Sequence, residues 1–104
     1  MLFRSDVSLC LFRVMQESLH NVAKHSRATK IDVEVRGTSN SLSLSISDNG
    51  VGFSPNTSKA RAGLGLISMR ERIHLIGGKF TITSNPNSGT RIEAKIPIAN
   101  TIQP

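Results

Sequence analysis

At 104 residues the chain has room for one small domain with one core, and 38% hydrophobic against 19% charged residues excludes an intrinsically disordered segment. Its 13 basic and 7 acidic residues leave a formal charge of +6, which favours an anionic partner: nucleic acid, an acidic protein or a phosphate ligand. The basic residues stand singly, without interleaved aromatics, unlike the concentrated stripe of a nucleic-acid binder. A lone cysteine, Cys10, excludes an intrachain disulfide and reads as a small buried hydrophobe. No apolar run approaches the ~20 residues of a membrane span, and the first residues lack the charged-then-apolar order of a signal peptide, so the expected setting is cytoplasmic.

The first predicted element is a helix from about Ser5 to His25. Val7, Leu11, Val14, Ser18 and Val22 recur at helical spacing, with Cys10, Met15 and Leu19 widening the stripe. Ser5 and Asp6 suit its start, and Lys24 and His25 suit a last turn at the negative end of the helix dipole. A second face carries Glu17, Asn21 and Lys24 at i, i+4 and i+7. Two readings fit that line. It is a solvated, salt-bridging face, or it sets a water-activating carboxylate, a hard amide oxygen and a phosphate-binding ammonium side by side.

Two strands follow as a hairpin. Ile31, Val33 and Val35 alternate in the first, Gly37-Thr38-Ser39-Asn40 is turn chemistry, and Leu42, Leu44 and Ile46 alternate in the second. The second strand runs into Asp48-Asn49-Gly50-Val51-Gly52-Phe53. That hexapeptide is either an ordinary turn, or an acid that accepts from an exocyclic amine beside glycines that admit a flat ring. Residues 54–62 are polar and without period, as a lid would be, and Lys59 and Arg61 there read equally as phosphate contacts or solvated charges.

Gly63-Leu64-Gly65-Leu66 then opens a second helix whose Leu66, Met69, Ile73 and Ile76 form a core stripe closed by Gly77-Gly78. Glycines there serve either a phosphate cradle at the bare helix amides or close packing on the sheet. Two more alternating strands, with Phe80 and Ile82 and then Ile92, Ala94 and Ile96 inward, complete an α-β-β-α-β-β order, and residues after Pro97 read as a frayed tail. The expected fold is α+β: a two-layer sandwich with helices on one face of a mixed, mainly antiparallel sheet.

The succession Gln16-Glu17…Asn21…Lys24-His25, Asp48-Asn49-Gly50-Val51-Gly52-Phe53, Gly63-Leu64-Gly65-Leu66…Met69-Arg70-Glu71-Arg72 and Gly89-Thr90 resembles the ATP-binding catalytic domain of sensor histidine kinases, in the superfamily of gyrase, Hsp90 and MutL. The short loop and Met69-Arg70-Glu71-Arg72 are most similar to the subgroup whose partners are response regulators with helix-turn-helix output domains. The likeness runs from about Phe12 to Pro97. It implies a Bergerat-type ATP-binding fold and ATP with magnesium as cofactors. Asn21 would coordinate the magnesium, and Glu17 would position its water or act as base. Asp48 would accept from the adenine amino group beside a turn shaped by Gly50 and Gly52. Gly63, Leu64, Gly65 and Leu66 would lie near the phosphates, Thr90 would support the adenine contact through its hydroxyl, and Lys24 and His25 match basic positions near the nucleotide.

The same resemblance implies a single catalytic domain over residues 1–104, excised from a longer kinase that is cytoplasmic or has its cytoplasmic part here. The dimerisation hairpin with its phospho-accepting histidine, and the leading strand, are expected to lie outside it. His20, His25 and His74 are all in the wrong context to accept phosphate. The fragment is thus expected to be monomeric, inactive alone, and free of nucleic-acid or membrane contact. Alternatives are an ATP hydrolase or an anti-sigma-type serine kinase on the same fold and, from another class, a basic nucleic-acid-binding module.

Overall fold

The computed structural model of the chain describes residues 5–52 and 65–98. Helix α1 (Ser5–Asn21) continues as a π-helical turn (Val22–Ser26), and strands β1 (Ile31–Gly37) and β2 (Ser41–Asp48) follow. Helix α2 (Leu66–Leu75) precedes strands β3 (Lys79–Ser84) and β4 (Thr90–Pro97). The strands form one sheet in the order β1-β2-β4-β3, with all three pairings antiparallel. The mixed pairing expected from sequence is therefore absent among the described strands. β2 and β3 run parallel but are separated by β4, so β2-α2-β3 is a crossover split by the last strand.

Both helices cover one face. α1 lies over β2 and β4, while α2 lies over β3 and against α1. The apolar stripe of α1 is buried as its spacing predicts: Val7, Cys10, Leu11 and Val14 meet Leu44, Ile46, Met69, Ile73, Ala94 and Ile96 in one core. Val14, Ile73 and Ile96 are each 0% exposed, and their burial stabilises the fold by about 1.5–3 kcal/mol apiece. Ser18 completes the helix contact, its hydroxyl donating to the Met69 sulfur at 3.6 Å. Ile98 is buried in the same core and its N–H donates to the Asn40 carbonyl, so the fray expected directly after Pro97 does not begin there.

Local chemistry sets the ends of these elements. α2 stops in a Schellman motif: Gly77 takes φ +79°, its N–H donates to His74, and Gly78 N–H donates to Ile73. The β1–β2 turn is fixed by Thr38, whose N–H donates to the Ser41 carbonyl at 2.8 Å and whose hydroxyl takes the Ser41 N–H at 3.0 Å. β1 is an edge strand among the described residues. Its Val33 and Val35 stand opposite the buried Ile46 and Leu44, yet remain 44% and 59% exposed because neither helix reaches that far.

The predicted single helix to His25 is divided. After Asn21 the pitch widens to the π form and ends at Arg27 in the left-handed region, φ 55°. The Ser26 hydroxyl anchors the turn by donating to the Val22 carbonyl at 3.0 Å and accepting from Ala28 N–H at 3.0 Å. More residues per turn delay each later side chain. The 3.6-residue phase that aligns Glu17 with Asn21 therefore does not carry through to Lys24.

Candidate functional site

The sheet's inner face explains where polar chemistry gathers. Directly opposed residues of antiparallel neighbours point the same way, so the registers stack the inner face in rows across β2, β4 and β3. Leu44–Ala94–Phe80 and Ile46–Ile92–Ile82 are apolar rows. The next row is Asp48–Thr90–Ser84, and it is polar throughout. The inner face is thus apolar for two rows and changes to a carboxylate and two hydroxyls at the last one, a place where polar groups are gathered for something other than core packing.

Asp48 is half-buried there, and its Oδ1 accepts from Gly50 N–H at 2.8 Å. That bond orients the carboxylate and leaves Oδ2 as the oxygen available to a ligand. Thr90 is half-buried, and its hydroxyl lies 2.7 Å from that of Ser84, which is only 4% exposed. Ser84 was not among the residues singled out from sequence. The parity that turns Phe80 and Ile82 inward also turns Ser84 inward, and that signal was present in the strand itself.

The turn after Asp48 is bolted on three sides. Asn49 Oδ1 accepts from Thr29 and Lys30 N–H at 2.9 and 3.0 Å, and its amide donates to the Thr29 hydroxyl. Val51 N–H donates to the Ser26 carbonyl at 2.7 Å, and the Val51 carbonyl accepts from Asn87 N–H. Gly50 and Gly52 have an internal reason to be glycine: a Cβ on Gly50 would collide with the Ser26 carbonyl, and one on Gly52 with the Asn85 carbonyl. Gly89, at φ +78°, likewise admits the Asp48 carbonyl. The glycine pair read as room for a ring thus first makes room for neighbouring backbone.

The second cluster lies where α1 meets α2. Gly65, in the left-handed region at φ 68°, is the N-cap of α2 and makes no side-chain cap. A Cβ there would stand 3.4 Å from Glu17 Oε2, so the exposed Glu17 carboxylate borders the helix start. The first N–H groups of α2 have no intrahelical acceptor by geometry. Leu66 is 4% exposed in the core, as its place in the α2 stripe predicts, so only its backbone can face a ligand. Gly63, Leu64, Phe53, Lys59 and Arg61 lie outside the described residues.

Asn21, half-buried, sits one turn beyond Glu17, and both offer the hard oxygen donors that magnesium takes. Among the described residues no three His, Cys, Asp or Glu side chains converge on a metal. The donor set fits a magnesium that arrives on phosphate oxygens and keeps waters, and it does not fit a protein-only cage. Lys24 and His25 are exposed on the π turn, displaced from the Glu17–Asn21 line. A separate groove of about 370 Å³, bordered by Ser41, Gly78, Lys79, Lys95 and Pro97, is at the opposite end of the sheet from Asp48.

Residues 6–100 match the family model described as histidine kinase-, DNA gyrase B- and HSP90-like ATPase. The chain is 38% identical over 96 residues to the signal transduction histidine-protein kinase/phosphatase DegS of Brevibacillus brevis, and 47% identical over 88 residues to the sensor protein VraS of Staphylococcus aureus. Those alignments cover 92% and 85% of this chain but 25% of each relative, so the chain spans about a quarter of their length. The ATP-binding domain of PrrB from Mycobacterium tuberculosis has the same fold, with TM-score 0.70 at 22% identity over 88% of this chain and 68% of that one. The histidine kinase domain of a blue-light activated kinase from Erythrobacter litoralis gives 0.69 at 20% identity, covering 89% of this chain and 45% of that one. The polar row that ends the sheet, the acid–amide helix beside it and the glycine-opened second helix thus occur in a chain that belongs to the histidine kinase-, DNA gyrase B- and HSP90-like ATPase family.

Proposed function

We propose that this domain is the ATP-binding catalytic part of a sensor histidine kinase, which presents the γ-phosphate of magnesium ATP to a histidine elsewhere in the longer protein. The observation that carries this reading is the Asp48–Thr90–Ser84 row, a polar terminus on an otherwise apolar inner face. A carboxylate whose Oδ1 is already held by a turn amide offers its second oxygen to an exocyclic amine, which is the donor that adenine supplies. Phosphates running from that base toward the Glu17–Gly65 contact would meet the start of α2, where backbone donors and the helix dipole favour anions.

Asn21 and Glu17 are the residues that would hold magnesium, which neutralises charge on the transferring phosphoryl group when bound. Glu17 would order its water or accept the proton of the attacking group. The work is positioning: a loose phosphoryl transition state asks for alignment and charge, and both clusters are on rigid elements. The likeness to DegS and VraS supports a two-component role, with a response regulator as the eventual acceptor; one with a helix-turn-helix output domain suits the short loop and Met69-Arg70-Glu71-Arg72.

The test is incubation of the longer protein that carries this domain with γ-labelled ATP and magnesium. The reading predicts acid-labile, alkali-stable label on protein, as phosphohistidine gives. Glu17→Gln should lower its rate about 100-fold or more while nucleotide affinity stays within a few-fold. Hydrolysis to free phosphate with no labelled protein would instead favour the hydrolase alternative.

A further inference from the structure

We propose that Ser84 is a positioning residue for base recognition, acting through Thr90 and not by touching the ligand. This rests on the adenine-nucleotide reading above and goes one residue deeper into the same site. At 4% exposure Ser84 is too deep for contact with a bound base, whereas Thr90 is half-buried beside Asp48.

Thr90 is β-branched on a strand, so its χ1 is stiff and the remaining freedom is rotation of the hydroxyl proton. Ser84 Oγ lies 2.7 Å from Thr90 Oγ1 and 3.2 Å from the Gly89 carbonyl oxygen. A carbonyl only accepts, so a hydrogen bond at the 3.2 Å contact uses the single Ser84 proton on Gly89, and this is the arrangement the proposal assigns. In that arrangement Thr90 is the donor in the short hydroxyl pair, and its lone pairs are what it offers a ligand. Next to it, Asp48 also offers an acceptor, Oδ2, because Oδ1 is engaged by Gly50 N–H at 2.8 Å.

The row therefore shows a ligand two acceptors and no hydroxyl donor. An amino group, or a water that donates to Thr90 while bridging to the base, fits that pattern. A 6-oxo purine, which turns an acceptor to the same place, does not. Ser84 supplies half of this preference by fixing the sense of the Thr90 hydroxyl. Gly89 contributes from the other side: with φ +78° and no Cβ, it keeps its carbonyl within reach of Ser84 while the Asp48 carbonyl packs against its α-carbon.

The experiment is equilibrium binding of a non-hydrolysable ATP analogue and its inosine counterpart, each with magnesium, to wild type, Ser84→Ala, Ser84→Thr, Thr90→Val and the Ser84→Ala/Thr90→Val pair. Ser84→Ala should weaken the adenine compound about 3- to 10-fold, the range of one hydrogen bond, and leave the inosine compound within two-fold. Ser84→Thr, which keeps the hydroxyl, should retain the wild-type preference. In the Thr90→Val background Ser84→Ala should change neither compound, since the group it acts through is gone. Equal weakening of both nucleotides by Ser84→Ala, or an undiminished effect in the Thr90→Val background, reduces Ser84 to a structural residue and overturns the proposal. Wild type that binds neither nucleotide overturns the functional reading and this one with it. Wild type that binds both equally well overturns this one alone.

Discussion

Asp48 and Thr90 stand directly opposite one another across the β2–β4 ladder, at the last pair before both strands leave the sheet. Every inner-face pair below them is apolar: Ile46 with Ile92, Leu44 with Ala94, Leu42 with Ile96. That single change of chemistry sets the ligand end of the domain apart from its packed end.

The turn following Asp48 should tolerate no side chain. In Gly50→Ala the new Cβ meets the Ser26 carbonyl, a backbone group anchored by Val51 N–H, so relief requires the π turn to move. A loss of about 2–4 kcal/mol is expected, as for other overpacked sites. Gly77→Ala is the control. Nothing lies within 4 Å of its Cβ, and only the φ of +79° is unfavourable, so about 1 kcal/mol is expected. Urea denaturation of the two variants measures the difference; equal losses would mean the collision is relieved at little cost.

Asn49→Ala should act on β1 and not on the ligand. Its side chain clamps Thr29 and Lys30 at the entry to the edge strand through three hydrogen bonds of 2.9–3.0 Å, all exposed. Losing them should cost about 1–2 kcal/mol and raise amide exchange in residues 31–37 before the rest of the sheet. Nucleotide affinity should stay within about two-fold, the change expected of a site whose partners are untouched.

Cys10 should be slow to react. Burial pushes its thiol up from the ordinary value of 9.0, Arg72 pulls the other way, and Asp6 adds to the rise. A raised folded pKa means the native state keeps the proton longer than the unfolded chain. Its contribution is complete below the unfolded pKa and is lost as pH rises through the folded one. Alkylation at pH 8 should therefore run at least about ten-fold slower than for a free thiol and accelerate in urea, with stability falling above pH 9. Fast modification of the folded protein would show the α1–α2 seam to be open.

Much of this was legible in the sequence because period and parity are local. The stripe of α1, the inward faces of β2 and β4, and the Gly77 cap follow from spacing alone. Ser84 was equally legible by parity, but a serine that ends a strand looks like the start of a turn. The π turn was hidden because Val22 suits the core in either pitch; only the fixing of Ser26 against Val51 and Gly50 distinguishes them. The glycines illustrate a general limit. Sequence marks a position that excludes a side chain, but not whether a ligand or the Ser26 and Asn85 carbonyls fill the space.

The most direct test of the proposed adenine contact is calorimetric titration of a non-hydrolysable ATP analogue with magnesium into wild type and Asp48→Asn. Asparagine keeps an Oδ1 to accept from Gly50 N–H, so the turn survives, but it replaces the ligand-facing oxygen with a donor. Saturable binding to wild type that weakens about 10- to 100-fold in the variant, with matching melting curves, is the predicted result. Equal binding by both proteins would contradict the account, because the carboxylate at the end of β2 would then not be what reads the base.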